Sequence, residues 1–68
     1  MALSARNILK GKVTDLKKGP VMAEVTVEVA AGVPVVSVIT ASSVERLGIS
    51  VGKEVELVIK ATSVMVNA

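Results

Sequence analysis

Hydrophobic and polar residues alternate most regularly over residues 21–29, where valine or alanine occupies every second position. Successive side chains of a strand point to opposite faces, so this period of two predicts a strand with one buried face. A similar alternation over residues 9–14 predicts an earlier strand. The segment between them, residues 17–20, reads Lys-Lys-Gly-Pro, and its glycine and proline favour a turn. The two strands should therefore form a hairpin.

The pattern then predicts a third strand and a short helix. Residues 35–40 are mostly β-branched, which is typical of a strand. Ser42 lies three residues before Glu45, the spacing of a capping box, and Gly48 is a typical helix stop. We therefore expect one helix of about two turns over residues 42–47.

Two further strands are predicted in the rest of the chain. Turns are expected at residues 31–32 and 50–53, and alternation over residues 54–60 predicts the fourth strand. Residues 64–66 predict a short fifth strand. Three strands, a helix and two strands is the order of an oligonucleotide/oligosaccharide-binding (OB) barrel. The expected fold is all-β, a small five-stranded OB-like barrel with one short helix between strands 3 and 4, forming a single domain over residues 1–68.

The size of the chain favours self-association. A chain of 68 residues buries too small a share of its surface to be very stable alone. Cysteine and histidine are both absent, which excludes disulfides and leaves few ligands for structural zinc. Because 51% of the residues are hydrophobic, more apolar surface is present than so short a chain can bury. The sequence therefore predicts a homo-oligomer.

Composition also bears on location and on macromolecular partners. The uninterrupted apolar stretches are far shorter than the roughly 20 residues of a membrane-spanning helix. The N-terminus lacks a basic segment followed by an apolar one, so no signal peptide is expected and a cytoplasmic location is predicted. The net charge of +2 is too small to predict a nucleic-acid or lipid surface.

The missing residue types indicate a binding protein and not an enzyme. Without histidine or cysteine, the chain has no ordinary proton shuttle near neutral pH and no thiol nucleophile. Serine–lysine chemistry remains formally open. Without phenylalanine, tyrosine or tryptophan, no aromatic surface exists on which single-stranded bases could stack.

Hydroxyl groups, backbone amides and cations suited to an oxyanion are concentrated in four places. These places are Ser4-Ala5-Arg6-Asn7, Thr40-Ala41-Ser42-Ser43, Lys60-Ala61-Thr62 and Lys18-Gly19. A tetrahedral oxyanion needs donors from several directions, which such groups supply without a metal or a base. Each place also has a plain structural interpretation: an exposed chain end, a strand end followed by a helix cap, a lysine at a strand end, and a turn.

Taken together, the motifs resemble those of the molbindins, the stand-alone molybdate-binding Mop domains. The resemblance covers essentially the whole chain, and its most specific feature is the pairing of the first and last motifs at this separation. The matching segments are SARN at 4–7, LKKG at 16–19, AEV at 23–25, TASSV at 40–44, LG at 47–48, VGKEV at 51–55 and VIKATSVM at 58–65.

The resemblance implies an OB-like barrel assembled as a hexamer built from dimers, with molybdate or tungstate bound between subunits. One chain would supply the hydroxyls, the guanidinium and one amide, and its neighbour an ammonium and a second amide. In this sequence the first set is Ser4, the Ala5 amide, Arg6, Thr40 and Ser43, and the second is Lys60 with the Ala61 amide. A second class of family sites, at subunit axes, would lie around Gly19 to Val21.

The predicted function is intracellular storage or buffering of molybdate or tungstate, with no catalytic step and no cofactor. Two cations from different chains repel one another in an empty site, and a dianion between them replaces repulsion with charge-assisted hydrogen bonds. Ligand binding and assembly should therefore be coupled. Two alternatives stay open, a non-catalytic interaction or scaffold module with the same barrel, and a nucleic-acid binder, which the composition disfavours.

Overall fold

The computed structural model describes residues 3–68, so Met1 and Ala2 of the predicted domain lie outside the described residues. These residues form a mostly-β domain with one short helix, as predicted. The sheet has the order β3-β2-β1-β4, and all neighbouring strands are antiparallel. The elements in chain order are β1 (Asn7–Lys18), β2 (Met22–Ala30), β3 (Val33–Thr40), α1 (Ala41–Leu47), β4 (Glu54–Ile59) and a 3₁₀ turn (Ala61–Ser63).

Strand β1 is longer than the predicted segment because it pairs on both sides. Its first half pairs with β4, from Asn7 opposite Ile59 to Lys12 opposite Glu54, and its second half pairs with β2. A bulge between Val13 and Asp15 interrupts the second half. The extra residue shifts the alternation of side chains, since Val13 is buried and the next core-facing side chain is three residues further on.

The core is small and built largely from valine. Four of its five buried residues lie on β1 and β2, and the fifth, Val44, is the buried side chain of α1. The helix therefore covers one end of the sheet, and Val44 is the side chain that it buries there. The buried residues are Val13, Ala23, Val25, Val27 and Val44.

The predicted fifth strand is wrong. After β4 the chain makes the 3₁₀ turn, and residues 64–68 continue outside the sheet, with Val66 91% exposed. A β-branched sequence favours an extended conformation, but a strand also needs an edge with which to pair. Both edges of β1 are already occupied, and within residues 3–68 neither β3 nor β4 pairs with the chain end. The sheet therefore has four strands and is not closed into a barrel.

An apolar groove of about 360 Å³ lies where the sheet stays open, between β3 and β4. Its walls are half-buried side chains of both strands, and its floor is formed by the buried valines of β2. The lining residues include Val25, Val27, Val35, Ile39, Val55, Leu57 and Ile59. Alternation thus predicted the inward face of β4 correctly, although one chain covers it only in part.

The helix follows its predicted position within one residue, but its N-terminal cap is Thr40 and not Ser42. The Thr40 hydroxyl accepts a hydrogen bond from the Ser43 N–H at 3.1 Å. Gly48 ends the helix as predicted, with φ of +64° in the left-handed region that favours glycine. Among residues 3–68, no helix is long and apolar enough to cross a membrane.

Candidate oxyanion-binding site

The N-terminal donors and the Lys60 segment lie at the same corner of one chain. The last register pair between β1 and β4 is Asn7 with Ile59, and the Asn7 side-chain amide donates to the Ile59 carbonyl at 3.3 Å. The next positions outward are Arg6 and Lys60, which brings the two predicted cations to this corner. Both side chains are exposed to solvent.

The remaining predicted donors of this corner lie beside those two cations. Ser4 and Ala5 precede Arg6, with Ser4 exposed and Ala5 half-buried. Ala61 begins the 3₁₀ turn, and the early N–H groups of such a turn have no acceptor within it. The corner therefore offers a guanidinium, an ammonium, a hydroxyl and backbone N–H groups, all of them suited to an acceptor-only anion.

Thr40 and Ser43 lie at the opposite end of β1. Thr40 pairs with Met22, at the beginning of β2, and the beginning of β2 pairs with the Lys18 end of β1. The 12 residues of β1, at about 3.3 Å each, place roughly 40 Å of chain between this end and the Arg6 corner. Within one chain, the structure thus brings the predicted site residues together as two groups.

The predicted second site, Gly19 and Val21, lies next to the Thr40 group. The Val21 carbonyl accepts from the Ala41 N–H at 2.7 Å, which joins the turn before β2 to the first residue of the helix. The Gly19 N–H donates to the Met22 carbonyl at 2.8 Å. This amide is therefore engaged inside the turn in the present conformation, and an anion would have to displace that hydrogen bond.

Around Thr40, hydroxyl groups and one guanidinium form a hydrogen-bonded cluster. The Thr40 hydroxyl donates to Ser43 Oγ at 2.8 Å and lies 3.2 Å from Ser42 Oγ. Arg46 Nη2 also donates to Ser43 Oγ, at 3.1 Å. Arg46 was not among the predicted donors, although its spacing of three residues from Ser43 places the two side chains on the same face of a helix.

Two lysines near α1 are engaged in holding the helix. Lys18, which the sequence suggested as an anion ligand, forms an ion pair with Glu45. Lys53 Nζ donates to the Leu47 carbonyl at 2.9 Å and to the Gly48 carbonyl at 3.3 Å. These contacts tie the helix to the end of β1 and to the segment before β4, so the hydroxyl cluster rests on a fixed element.

Fold and donor groups together define a small β-sheet domain whose exposed cations, hydroxyls and amides suit an oxyanion. The TOBE domain model matches residues 3–66, and the chain belongs to this family. It is 53% identical to molybdenum-pterin-binding protein 1 of Clostridium pasteurianum over 68 residues, the full length of both chains. The predicted resemblance to the molbindins is thereby confirmed.

Solved structures agree with this assignment. The fold is similar to MopII from Clostridium pasteurianum, with a TM-score of 0.91 and 52% identity over 98% of this chain and 100% of that chain. It is also similar to a molybdate-binding protein from Sporomusa ovata, with a TM-score of 0.93 and 35% identity over the full length of both chains.

Proposed function

We propose that this chain stores or buffers molybdate or tungstate by binding the oxyanion between copies of itself, with no catalytic step and no cofactor. The observation that carries this proposal is the separation of its predicted donors into two groups at opposite ends of β1. A tetrahedral oxyanion is only a few ångströms across, so one anion cannot contact both groups of the same chain. The names of the relatives, as molybdenum-pterin-binding and molybdate-binding proteins, support the choice of ligand.

The chain end supports association between copies. Residues 64–66, which we call the tail, are exposed and apolar, with Met65 94% exposed. The groove between β3 and β4 is apolar, and the edges of these strands face no further strand within residues 3–68. Addition of an extended segment to such an edge is a common mode of association. We infer that the tail of one copy occupies the groove of another, within a homo-oligomer that we propose to be a hexamer.

This arrangement brings the two donor groups together. Strand β3 runs from Val33 to Thr40, so a tail that pairs antiparallel with the β3 of a second copy begins beside Thr40 of that copy. Lys60 and Ala61 lie just before the tail, at the corner that also carries Arg6. The proposed site therefore combines the Arg6 corner of one copy with the Thr40 end of its neighbour.

The proposed division between chains differs from the one implied by the resemblance, where Lys60 and Arg6 come from different copies. Mixing of inactive variants distinguishes the two. We expect mixed assemblies of Arg6→Ala and Ser43→Ala chains to recover some intact sites, because the Ser43→Ala chain then supplies Arg6 and the Arg6→Ala chain supplies Ser43. Mixtures of Arg6→Ala with Lys60→Ala should recover none. Recovery in the second mixture would instead assign Lys60 to the neighbour of the Arg6 chain.

Binding and assembly should respond together to the ligand. Arg6 and Lys60 place two positive charges at one corner, and a dianion replaces their repulsion with charge-assisted hydrogen bonds. A ligand that prefers the associated state stabilises it. We expect molybdate to raise the thermal unfolding midpoint and to favour the higher oligomer.

Isothermal titration with molybdate, tungstate and sulfate tests the proposal directly. Arg6→Ala should weaken binding without unfolding the protein, and Lys10→Ala, which removes an exposed cation of β1, is the matched control. An absence of heat together with an unchanged melting curve at saturating molybdate would favour a scaffold module instead. A salt-dependent gel shift would favour a nucleic-acid binder. We also propose a cytoplasmic location, which localisation of a tagged chain checks.

A further inference from the structure

We propose that Arg46 is a positioning residue of the oxyanion site, and that it acts through the Ser43 hydroxyl. This inference rests on the proposed function, because it assigns a role within the same site. Nothing in the motifs that resemble the molbindins includes Arg46, since the TASSV segment ends at position 44 and the LG segment begins at position 47. The observation that points to it is the contact between the guanidinium and Ser43 Oγ at 3.1 Å.

The hydrogen atoms of the cluster can be assigned one by one. A hydroxyl has one hydrogen to donate and two lone pairs that accept. Thr40 donates its hydrogen to Ser43 Oγ and accepts from the Ser43 N–H. The contact between Thr40 and Ser42 must therefore use the hydrogen of Ser42, which fills the second lone pair of Thr40. In this arrangement Thr40 has no hydrogen left for an anion.

The Ser43 hydroxyl, unlike that of Thr40, keeps a hydrogen that it can donate to an anion. Its oxygen accepts from Thr40 and from Arg46, so both lone pairs are occupied. Its own hydrogen is then directed away from these two donors, and within residues 3–68 no side chain or backbone group accepts it. An oxygen that accepts from a cation is polarised, and its O–H becomes a stronger donor. Arg46 thus turns Ser43 into the hydroxyl of this cluster that donates to the ligand.

The position of Arg46 follows from the helix. It lies three residues after Ser43 in α1, whose position is fixed by buried Val44 and by the ion pair between Lys18 and Glu45. The Arg46 side chain is exposed, while Ser43 is half-buried. The guanidinium is therefore a surface group that orients a hydroxyl beneath it, and its removal should leave the core untouched.

A double-mutant cycle tests whether Arg46 acts through Ser43. Molybdate affinity is measured by isothermal titration on the full chain for wild type, Arg46→Gln, Ser43→Ala and the double variant. Loss of one net hydrogen bond corresponds to about a fivefold weakening, which we expect for Arg46→Gln. Ser43→Ala should weaken binding at least as much. The double variant should bind no more weakly than Ser43→Ala alone, because Arg46 then has no hydroxyl to orient.

Two further variants separate this role from charge and from stability. Arg46→Lys retains a donor for Ser43 and should recover most of the affinity. Lys10→Gln removes the same charge from β1 and should change the affinity less than twofold. The thermal midpoint of ligand-free Arg46→Gln should match that of wild type.

Several results would overturn the inference. Equal losses in Arg46→Gln and Lys10→Gln would show a general charge effect. Additive losses in the double variant would show that Arg46 acts independently of Ser43, and a lowered ligand-free midpoint would show a structural role. A wild-type chain that does not bind molybdate would instead refute the proposed function, and the inference with it. If wild type binds molybdate and Arg46→Gln binds it equally well, the inference is refuted but the proposed function is not.

Discussion

A single charge in the tail should separate the copies of this protein. Val66 is 91% exposed in one chain, and we propose that it enters the apolar groove of a neighbour. Val66→Asp would place a carboxylate in that groove. Met65 is 94% exposed and points to the opposite side of an extended segment, so Met65→Asp adds the same charge on the other side.

The expected loss of association free energy follows from the exposed fraction of the Val66 side chain. Complete burial of a valine side chain stabilises by about 1.5–3 kcal/mol, and Val66 has nearly its whole surface to bury. Two copies that exchange tails contain two such contacts, or about 3–6 kcal/mol. Since about 1.4 kcal/mol corresponds to tenfold in affinity, loss of both contacts weakens association at least about a hundredfold. Desolvation of the new carboxylate adds to this loss.

Sedimentation velocity over a range of protein concentrations measures the association of wild type, Val66→Asp and Met65→Asp. We expect the first variant to shift to smaller species at concentrations where wild type and the Met65 variant remain assembled. Circular dichroism on the same samples checks that the sheet persists. The reasoning is refuted if both variants assemble like wild type, or if the Met65 variant dissociates as readily as the Val66 variant.

Two further predictions concern the stability of one chain. Gly11→Ala places a Cβ 2.6 Å from the Glu28 carbonyl oxygen, so we expect a loss of about 1–3 kcal/mol in the free energy of unfolding by urea, and an unchanged midpoint would contradict the close approach. Lys53→Met removes the hydrogen bonds to Leu47 and Gly48, so amide hydrogen exchange at the helix end should accelerate by a few fold, because both hydrogen bonds are exposed and weak. Unaltered exchange would show that the glycine cap alone holds this end.

Local patterns predicted the strands because the alternation of side chains depends only on neighbouring residues. The inward valines of β2 are an example, and Gly48 ended the helix because a left-handed cap needs no distant partner. The bulge after Val13 had no such local signal. The fifth strand failed for a related reason, since residues 64–66 have strand-forming side chains but find no edge within their own chain.

The sequence predicted which kinds of donor group the candidate site contains, but not which of these groups lie together in one chain. Short motifs identify the hydroxyls, amides and cations, whereas the pairing of the strands decides which of them are close in space. The register of β1 with β4 brings Arg6 and Lys60 to one corner, and the length of β1 places Thr40 far from both. Arg46 was missed because its role depends on a hydrogen-bond arrangement in the folded helix.

In the proposed exchange of tails, the chain end would complete both the apolar core and the anion site. Lys60 and Ala61 are separated from the tail by only two residues, so a tail that closes the groove of a neighbour carries these donors to that neighbour. Completion of the apolar core and completion of the anion site then occur in one association step. Linkage requires the effect to be reciprocal: if molybdate tightens assembly tenfold, assembly tightens molybdate binding tenfold. In the proposed assembly, association would compensate for the small core, and the bound anion would in turn control the association.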